Sequence, residues 1–325
     1  MLTQPLEGLR EPHGSHRVQF LRMILAKDLR SPDMIIGKKH LLFLFSLCRG
    51  MSVSAQDGEL HVVDPKEKKG FMVGLNIGYL LPNDEPATFY DGTPKDPAFL
   101  DLNEYLDLWF IRDQVINTLG DLAANYRLSE YPQEYRYSDA LSIGGHVRYQ
   151  FNWTHAVVGD LNYARLRSAG IFVIEYANNT GATQPVYESF EITGEEDRMN
   201  MSLGYHVNLG APSEFGLHLE FGPMLTSVRV RNNQFRIGDR TYNILRAQTV
   251  GLAADQLITA PIPTVTSLGG YGQLGANLEF HKFTVDMALR VSLEKIAIYE
   301  GQEARYRPSY LPFLRLVYRL SGQGS

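Results

Sequence analysis

The stretch from Tyr271 to Tyr299 constrains the fold most, because it alternates with a period of two on both sides of a turn. From Phe283 onward one parity holds Phe283, Val285, Met287, Leu289, Val291 and Leu293, and the other holds Thr284, Asp286, Ala288, Arg290, Ser292 and Glu294. Successive side chains of a strand point to opposite faces, so the pattern describes a two-faced strand and not a helix. The preceding run alternates too, with Leu274, Ala276, Leu278 and Phe280 against Gln273, Gly275, Asn277 and Glu279. A loop at His281 and Lys282 sets Phe280 opposite Phe283, Leu278 opposite Val285 and Asn277 opposite Asp286, which keeps both alternations in register.

The same period recurs along the chain and predicts strands at 70–81, 138–151, 155–165, 197–209, 215–230, 269–280, 283–298 and 309–320. The first, third, fifth and seventh connections are long; the others are short. An up-and-down antiparallel barrel of eight strands satisfies that rhythm, with short turns and both termini at one end and the long loops at the other. The first connection, 82–137, changes period. There Leu102, Tyr105, Leu106, Trp109, Ile116, Leu119, Leu122 and Tyr126 recur at helical spacing behind Asp101 and Glu104, predicting a capped helix over 102–125.

Alternation does not say which face meets solvent. A soluble lipocalin-like barrel would turn its apolar face inward, and a membrane barrel would turn it to lipid. A net charge of -5 and 44% apolar residues are ordinary, and one cysteine excludes a disulfide framework. No apolar run reaches the ~20 residues of a membrane helix, so a membrane protein here is a closed barrel. Three features favour lipid. Lys38 and Lys39 precede an apolar run at 41–48 and the small-residue site Val53-Ser54-Ala55, which reads as an export signal over 38–55 cleaved after Ala55. The loops are asymmetric. Gly74, Gly78, Gly144, Gly204, Gly216, Gly222 and Gly275 line the polar face, where the interior of an eight-strand barrel is cramped. On this reading residues 1–37 are an N-terminal extension with Met34 as the natural start, 56–69 a short periplasmic segment, 70–320 the barrel, and 321–325 a tail.

The export signal, the eight alternating strands and the long-short loops resemble the small outer-membrane β-barrels of Gram-negative bacteria, the OmpA/OmpX-like type. The resemblance covers 70–320 and implies an all-β transmembrane fold located in the cell outer membrane. It is architectural, so it implies location more firmly than activity. Two departures stand out: Tyr318 is followed by Leu320 and a tail where the family ends on an aromatic residue, and no peptidoglycan-binding domain follows the barrel.

A narrow lumen would collect Arg148, Asp160, Glu220, Glu279, Asp286, Arg290, Glu294, Arg315 and Arg319. Charges in such a place must pair, so these residues read either as a salt-bridged plug or as a gated, porin-like narrow ion path. Pairing Leu209 with Phe215 would set His206 opposite His218 with Glu220 one step away, a hydrogen-bonded structural pair more readily than a metal site. No Ser/His/Asp cluster lies at the loop ends, so no catalytic residue, cofactor or metal is assigned and no enzyme is expected. Leu102, Tyr105, Trp109 and Ile116 form an apolar helix face that either packs on the other loops as a cap or docks a partner. Tyr79, Tyr149, Phe151, Phe280, Phe283, Tyr310 and Tyr318 read as interfacial girdles. The partners expected are outer-membrane lipid and lipopolysaccharide, with an extracellular or secretion-system protein as a further candidate. A PorT-like accessory barrel of a secretion system fits the length, and no basic stripe suggests nucleic acid.

Overall fold

A computed structural model describes residues 69–95, 100–120, 123–176, 185–209, 215–246, 262–280, 283–299 and 301–320. The N-terminal extension, the export signal and the tail lie outside the described residues.

Eight strands close into a ring: β1 (Gly70–Leu80), β2 (Ala140–Gln150), β3 (His155–Tyr176), β4 (Val186–Leu209), β5 (Phe215–Ile237), β6 (Thr264–Glu279), β7 (Phe283–Glu294) and β8 (Arg307–Arg319). Each pairs antiparallel with its neighbour in the chain, and β8 pairs back onto β1, with Tyr318 opposite Val73. Closure leaves the ring without an unpaired edge. The β6–β7 register sets Val285 opposite Leu278 and Asp286 opposite Asn277, and the Phe280 N–H donates to the Phe283 carbonyl at 2.7 Å. Both alternations therefore stay in phase.

The apolar parity faces out. Leu75 is 71% exposed and Leu274 57%, whereas Asp286 and Arg315 on the other parity are fully buried. Tyr149, Phe151, Phe280, Phe283 and Tyr318 ring the outer wall at the short-turn end, and Tyr79 and Tyr310 stand on it at the long-loop end. No helix among the described residues is long and apolar enough to cross a membrane.

Strands β3, β4 and β5 run well beyond the lengths their alternation predicts, and along the added length the two faces exchange character. Outward residues pass from Tyr163, Met199 and Leu225 to Arg165, Asp197 and Arg229, while inward ones pass from Asn162 and Asn200 to Leu166, Phe172, Ile174, Ile192, Val230, Phe235 and Ile237. An outer wall that leaves lipid for water must become polar. An inner wall that leaves the lumen and meets other protein can become apolar. The protein it meets is the first long connection. This segment contributes the 3-10 turn Glu85–Tyr90 and the helices α1 (Leu102–Asp107) and α2 (Trp109–Leu119), which bury Phe89, Tyr90, Leu102, Leu106, Ile111 and Val115 against the extensions. Together they make a cap with its own core. The short strands Arg127–Glu130 and Arg136–Tyr137 pair with β3, and Arg240–Asn243 pairs with β5, widening the cap's walls.

The single helix expected over 102–125 is two. The capping box forms as its sequence indicates, with the Glu104 N–H donating to Asp101 Oδ1 at 2.8 Å and Glu104 returning the contact. Leu108 then turns to extended backbone at ψ 126°, and α2 ends at Gly120, whose φ of 89° suits glycine. Tyr126 donates its hydroxyl to the Leu106 carbonyl at 2.6 Å, satisfying an acceptor that the break leaves open.

Candidate functional site

The inward parity of the ring brings three arginines and three carboxylates into one layer at the centre of the barrel. Arg315 from β8 donates through Nη1 to Glu220 Oε1 at 2.8 Å, through Nη2 to Asp160 at 3.2 Å and through Nε to Asn76 at 2.9 Å. Arg290 from β7 reaches Asp160 Oδ2 at 2.5 Å and Gln273 at 2.9 Å, its guanidinium lying 4.3 Å from the centre of the Tyr271 ring. Arg148 from β2 donates to Asp286 at 2.6 Å and stands 3.6 Å from Glu220. No arginine or carboxylate side chain of this layer is more than 3% exposed. Asp160 takes a further hydrogen bond with His146 at 2.8 Å, and Asn76 donates to Asp160 and Asn162, both at 3.0 Å. Charge is balanced and most polar atoms have partners. Buried ions tolerate nothing less.

Room for the polar side chains packed around this layer comes from the glycines beside them. A Cβ on Gly144 would stand 2.2 Å from Asn162 Oδ1, and one on Gly275 would stand 2.5 Å from His218 Cε1. Below the charged layer, toward the short turns, Gln150 and Asn208 both donate to the carbonyl of Trp153, at 3.0 and 2.6 Å, and hold that buried residue at the mouth.

Six of the nine residues expected in the lumen network therefore meet: Arg148, Asp160, Glu220, Asp286, Arg290 and Arg315. The other three stand apart. Glu279 and Arg319 are half-buried at the short-turn end, and Glu294 is buried at the opposite end of β7 beside Arg198. The β4–β5 register differs from the expected one by two residues, because Leu209 pairs with Leu217 and not with Phe215. His206 consequently faces Glu220, bonding it through Nδ1 at 2.9 Å, while His218 faces Asn208. The two imidazoles still stack, with ring centres 4.9 Å apart. His206 Nε2 contacts Asn208 at 3.0 Å, and His206, His218 and Glu220 each bring one potential ligand atom to within 4.8 Å of the others.

A second buried cluster joins cap to barrel. Glu196 on β4 accepts from the hydroxyls of Tyr90 at 2.8 Å and Tyr137 at 2.6 Å, and from Arg198 Nε at 2.6 Å. The Arg198 guanidinium also lies 5.0 Å from the centre of the Tyr137 ring. Burial, and then the negative charge of Glu196, push both phenols well above their ordinary value of 10.0. They are therefore neutral donors, and they latch two points of the first connection onto one barrel carboxylate. Glu196 and Arg198 share parity with Asn200 and His206, which is the signal that could have found them.

Of the four residues expected on a partner-binding helix face, Leu102 and Tyr105 are core residues of the cap, and Ile116 packs partly against that core. Only Trp109 projects, at 63% exposure, with Phe110 edge-on beside it. The reason is the break at Leu108, which interrupts the helix and splits the predicted stripe.

No family model matches the chain, and no curated protein matches it. Among solved structures it is similar to Neisserial surface protein A, at 10% identity and a TM-score of 0.35 over 77% of this chain and 97% of that one. It is similar also to Ail, the attachment invasion locus protein of Yersinia pestis, at 10% identity and 0.32 over 77% and 99%. A third likeness is to the translocator domain of the autotransporter NalP from Neisseria meningitidis, at 10% and 0.31 over 89% and 98%. What defines the fold is the molecule's own hydrogen-bonded ring, an eight-stranded antiparallel barrel with charge inside and apolar side chains outside, the architecture of the small outer-membrane β-barrels of Gram-negative bacteria.

Proposed function

We propose that the protein is exported to the outer membrane of a Gram-negative cell, where a sealed barrel carries an extracellular cap as its working part. The cap serves structurally and docks a protein partner, either an extracellular one or a component of a secretion system. The observation that carries this reading is double closure. The lumen is filled by the arginine–carboxylate layer, and the first long connection is folded over it with a core of its own and latched by Tyr90 and Tyr137 to Glu196. A transport path would have to break both. Trp109 supports the docking role, since an indole left outside a well-packed core is the kind of anchor that interfaces use.

Planar-bilayer recording and partner capture test the two classes together. The reconstituted wild-type chain gives no conductance steps, and cross-linking in intact cells yields a partner adduct that Trp109→Ala abolishes without altering the barrel's folded mobility. Steady steps in the wild type that vanish in Arg290→Ala or Arg315→Ala would replace this reading with the narrow channel.

A further inference from the structure

On the outer wall, directly beyond the last apolar row of β3–β5, stand two rows of alternating charge. Arg165, Asp197 and Arg229 lie side by side in one row. Arg167 and Glu195 pair in the next, and Arg231 sits beyond Glu195 at a break in the β4–β5 register. Four guanidiniums thus surround two carboxylates. Asp197 is engaged by Nε of Arg165 at 3.0 Å, by Nε of Arg231 and by the Tyr163 hydroxyl at 2.6 Å, and Glu195 is engaged by Nε of Arg167 at 2.8 Å. The carboxylates hold these arginines by the inner nitrogen. Arg165 Nη2 also donates to the Tyr163 hydroxyl at 3.3 Å, and the three side chains remain 46, 45 and 69% exposed for Arg165, Arg231 and Arg167, leaving terminal nitrogens such as Arg165 Nη1 at the surface. Arg229, also exposed, has no ion-pair partner among the described residues.

Below this grid the apolar wall is indented, over a stretch lined from β1 to β6. Gly145 and Gly159 face outward and lack the side chains that their neighbours Leu161, Met201, Leu225 and Leu268 extend, leaving a groove of about 650 Å³. Leu161 and Arg165 are four residues apart along β3, which is about 13 Å of strand. A lipid in the surrounding bilayer would place its headgroup at one end of that distance and its chain at the other.

We propose that the grid and groove form a binding site for a phosphate-bearing lipid of the outer leaflet, with the acyl chain along Gly145 and Gly159 and the phosphate on the terminal nitrogens of Arg165, Arg229 and Arg231. Guanidinium forks match phosphate oxygens two at a time, and excess positive charge at a membrane surface attracts anionic headgroups. The site rests on the membrane reading above and specifies which part of the wall the lipid takes.

Native mass spectrometry of the full chain in micelles, equilibrated with lipid A, with dephosphorylated lipid A or with inorganic phosphate, tests it. Lipid A is retained, the dephosphorylated form is not, and inorganic phosphate at equal concentration does not displace the lipid. The double variant R165Q/R229Q lowers retention by about thirtyfold, as loss of two surface cations predicts. Glu195→Gln frees Arg167 and raises retention, giving a gain that a merely misfolded variant would not show. Retention of both lipids alike, or retention unchanged in R165Q/R229Q while the heat-modifiable folded band persists, overturns the site alone. Failure of the wild type to fold in micelles or vesicles overturns the membrane reading and the site with it.

Discussion

Arg315 on β8 reaches Glu220 on β5 through the middle of the barrel, Nη1 to Oε1 at 2.8 Å, tying together two strands that are not neighbours in the ring. The same guanidinium contacts Asp160 and Asn76. Replacing Arg315 with Met leaves three buried carboxylates to two arginines. Removal of one member from a buried ion pair typically costs about 3–5 kcal/mol. The expected outcome is a loss of that order in the denaturant-unfolding free energy of vesicle-reconstituted protein. The double variant R315M/E220Q recovers a good part of it by restoring balance, and a double variant no better than the single one would contradict the network as described.

The cap carries a pH dependence of its own. Burial raises the phenols of Tyr90 and Tyr137 well above 10.0 and that of Tyr105 to about 12. A proton held more tightly in the folded state stabilises the fold fully below the unfolded value and ceases to do so as pH rises through the folded one. Each such tyrosine therefore removes about 1.4 kcal/mol per pH unit once pH exceeds 10. The cap should loosen between pH 10 and 12, seen as rising quenching of tryptophan fluorescence and a late tyrosinate absorbance step, while the barrel keeps its heat-modifiable mobility. Cap and barrel melting in a single step over that range would show that the two are not separable.

Gly194 on β4 lies under the ring of Tyr90: a Cβ there would come 2.2 Å from Tyr90 Cγ and 2.4 Å from Cδ1. An aromatic ring cannot bend away as a flexible chain end can, so Gly194→Ala must push Tyr90 off Glu196. Overpacking of this kind costs about 1–3 kcal/mol. Gly272→Ala on the outer wall, where nothing lies within 4 Å of the added carbon, is the matched control and should be neutral. Protease cleavage within 82–137 should accelerate in Gly194→Ala alone, and equal rates in both variants would remove Gly194 from the latch.

Legibility from sequence followed how constant the environment was along each strand. The β6–β7 hairpin was readable to the residue because the paired positions Gly275–Glu279 and Thr284–Leu293 stay in the same two surroundings, so parity alone fixes the pairing. In β3–β5 the surroundings change midway. Beyond Tyr163 the apolar residues move to the other parity, and Leu166, Phe172 and Ile174 break the alternation that defined the strand although the strand continues. Pairing of β4 with β5 was expected two residues out because both ends of that connection alternate in phase, and a shift by two leaves the faces unchanged. The central ions were legible by parity, but which arginine meets which carboxylate was not, since Arg315 and Glu220 never share a ladder. The latch draws Tyr90 and Tyr137 from a segment without alternation, where only three-dimensional packing brings them to Glu196.

The outward parity gives the most direct test of where the barrel lives. Leu274 stands midway along β6, between Leu219 and Leu289 on its two neighbours, and is 57% exposed; Thr266 lies near the loop end of the same strand. A cation on the lipid face costs about 2–4 kcal/mol at the bilayer midplane and about 0–1 kcal/mol near the interface. Leu274→Arg should therefore lower the folding free energy in lipid vesicles by the larger amount and Thr266→Arg by the smaller, with neither altering the central ion layer on the opposite parity. In water, by contrast, an exposed leucine replaced by arginine is close to neutral. Equal and negligible costs at both positions would mean that no hydrocarbon surrounds Leu274, and the membrane assignment would fall with that result.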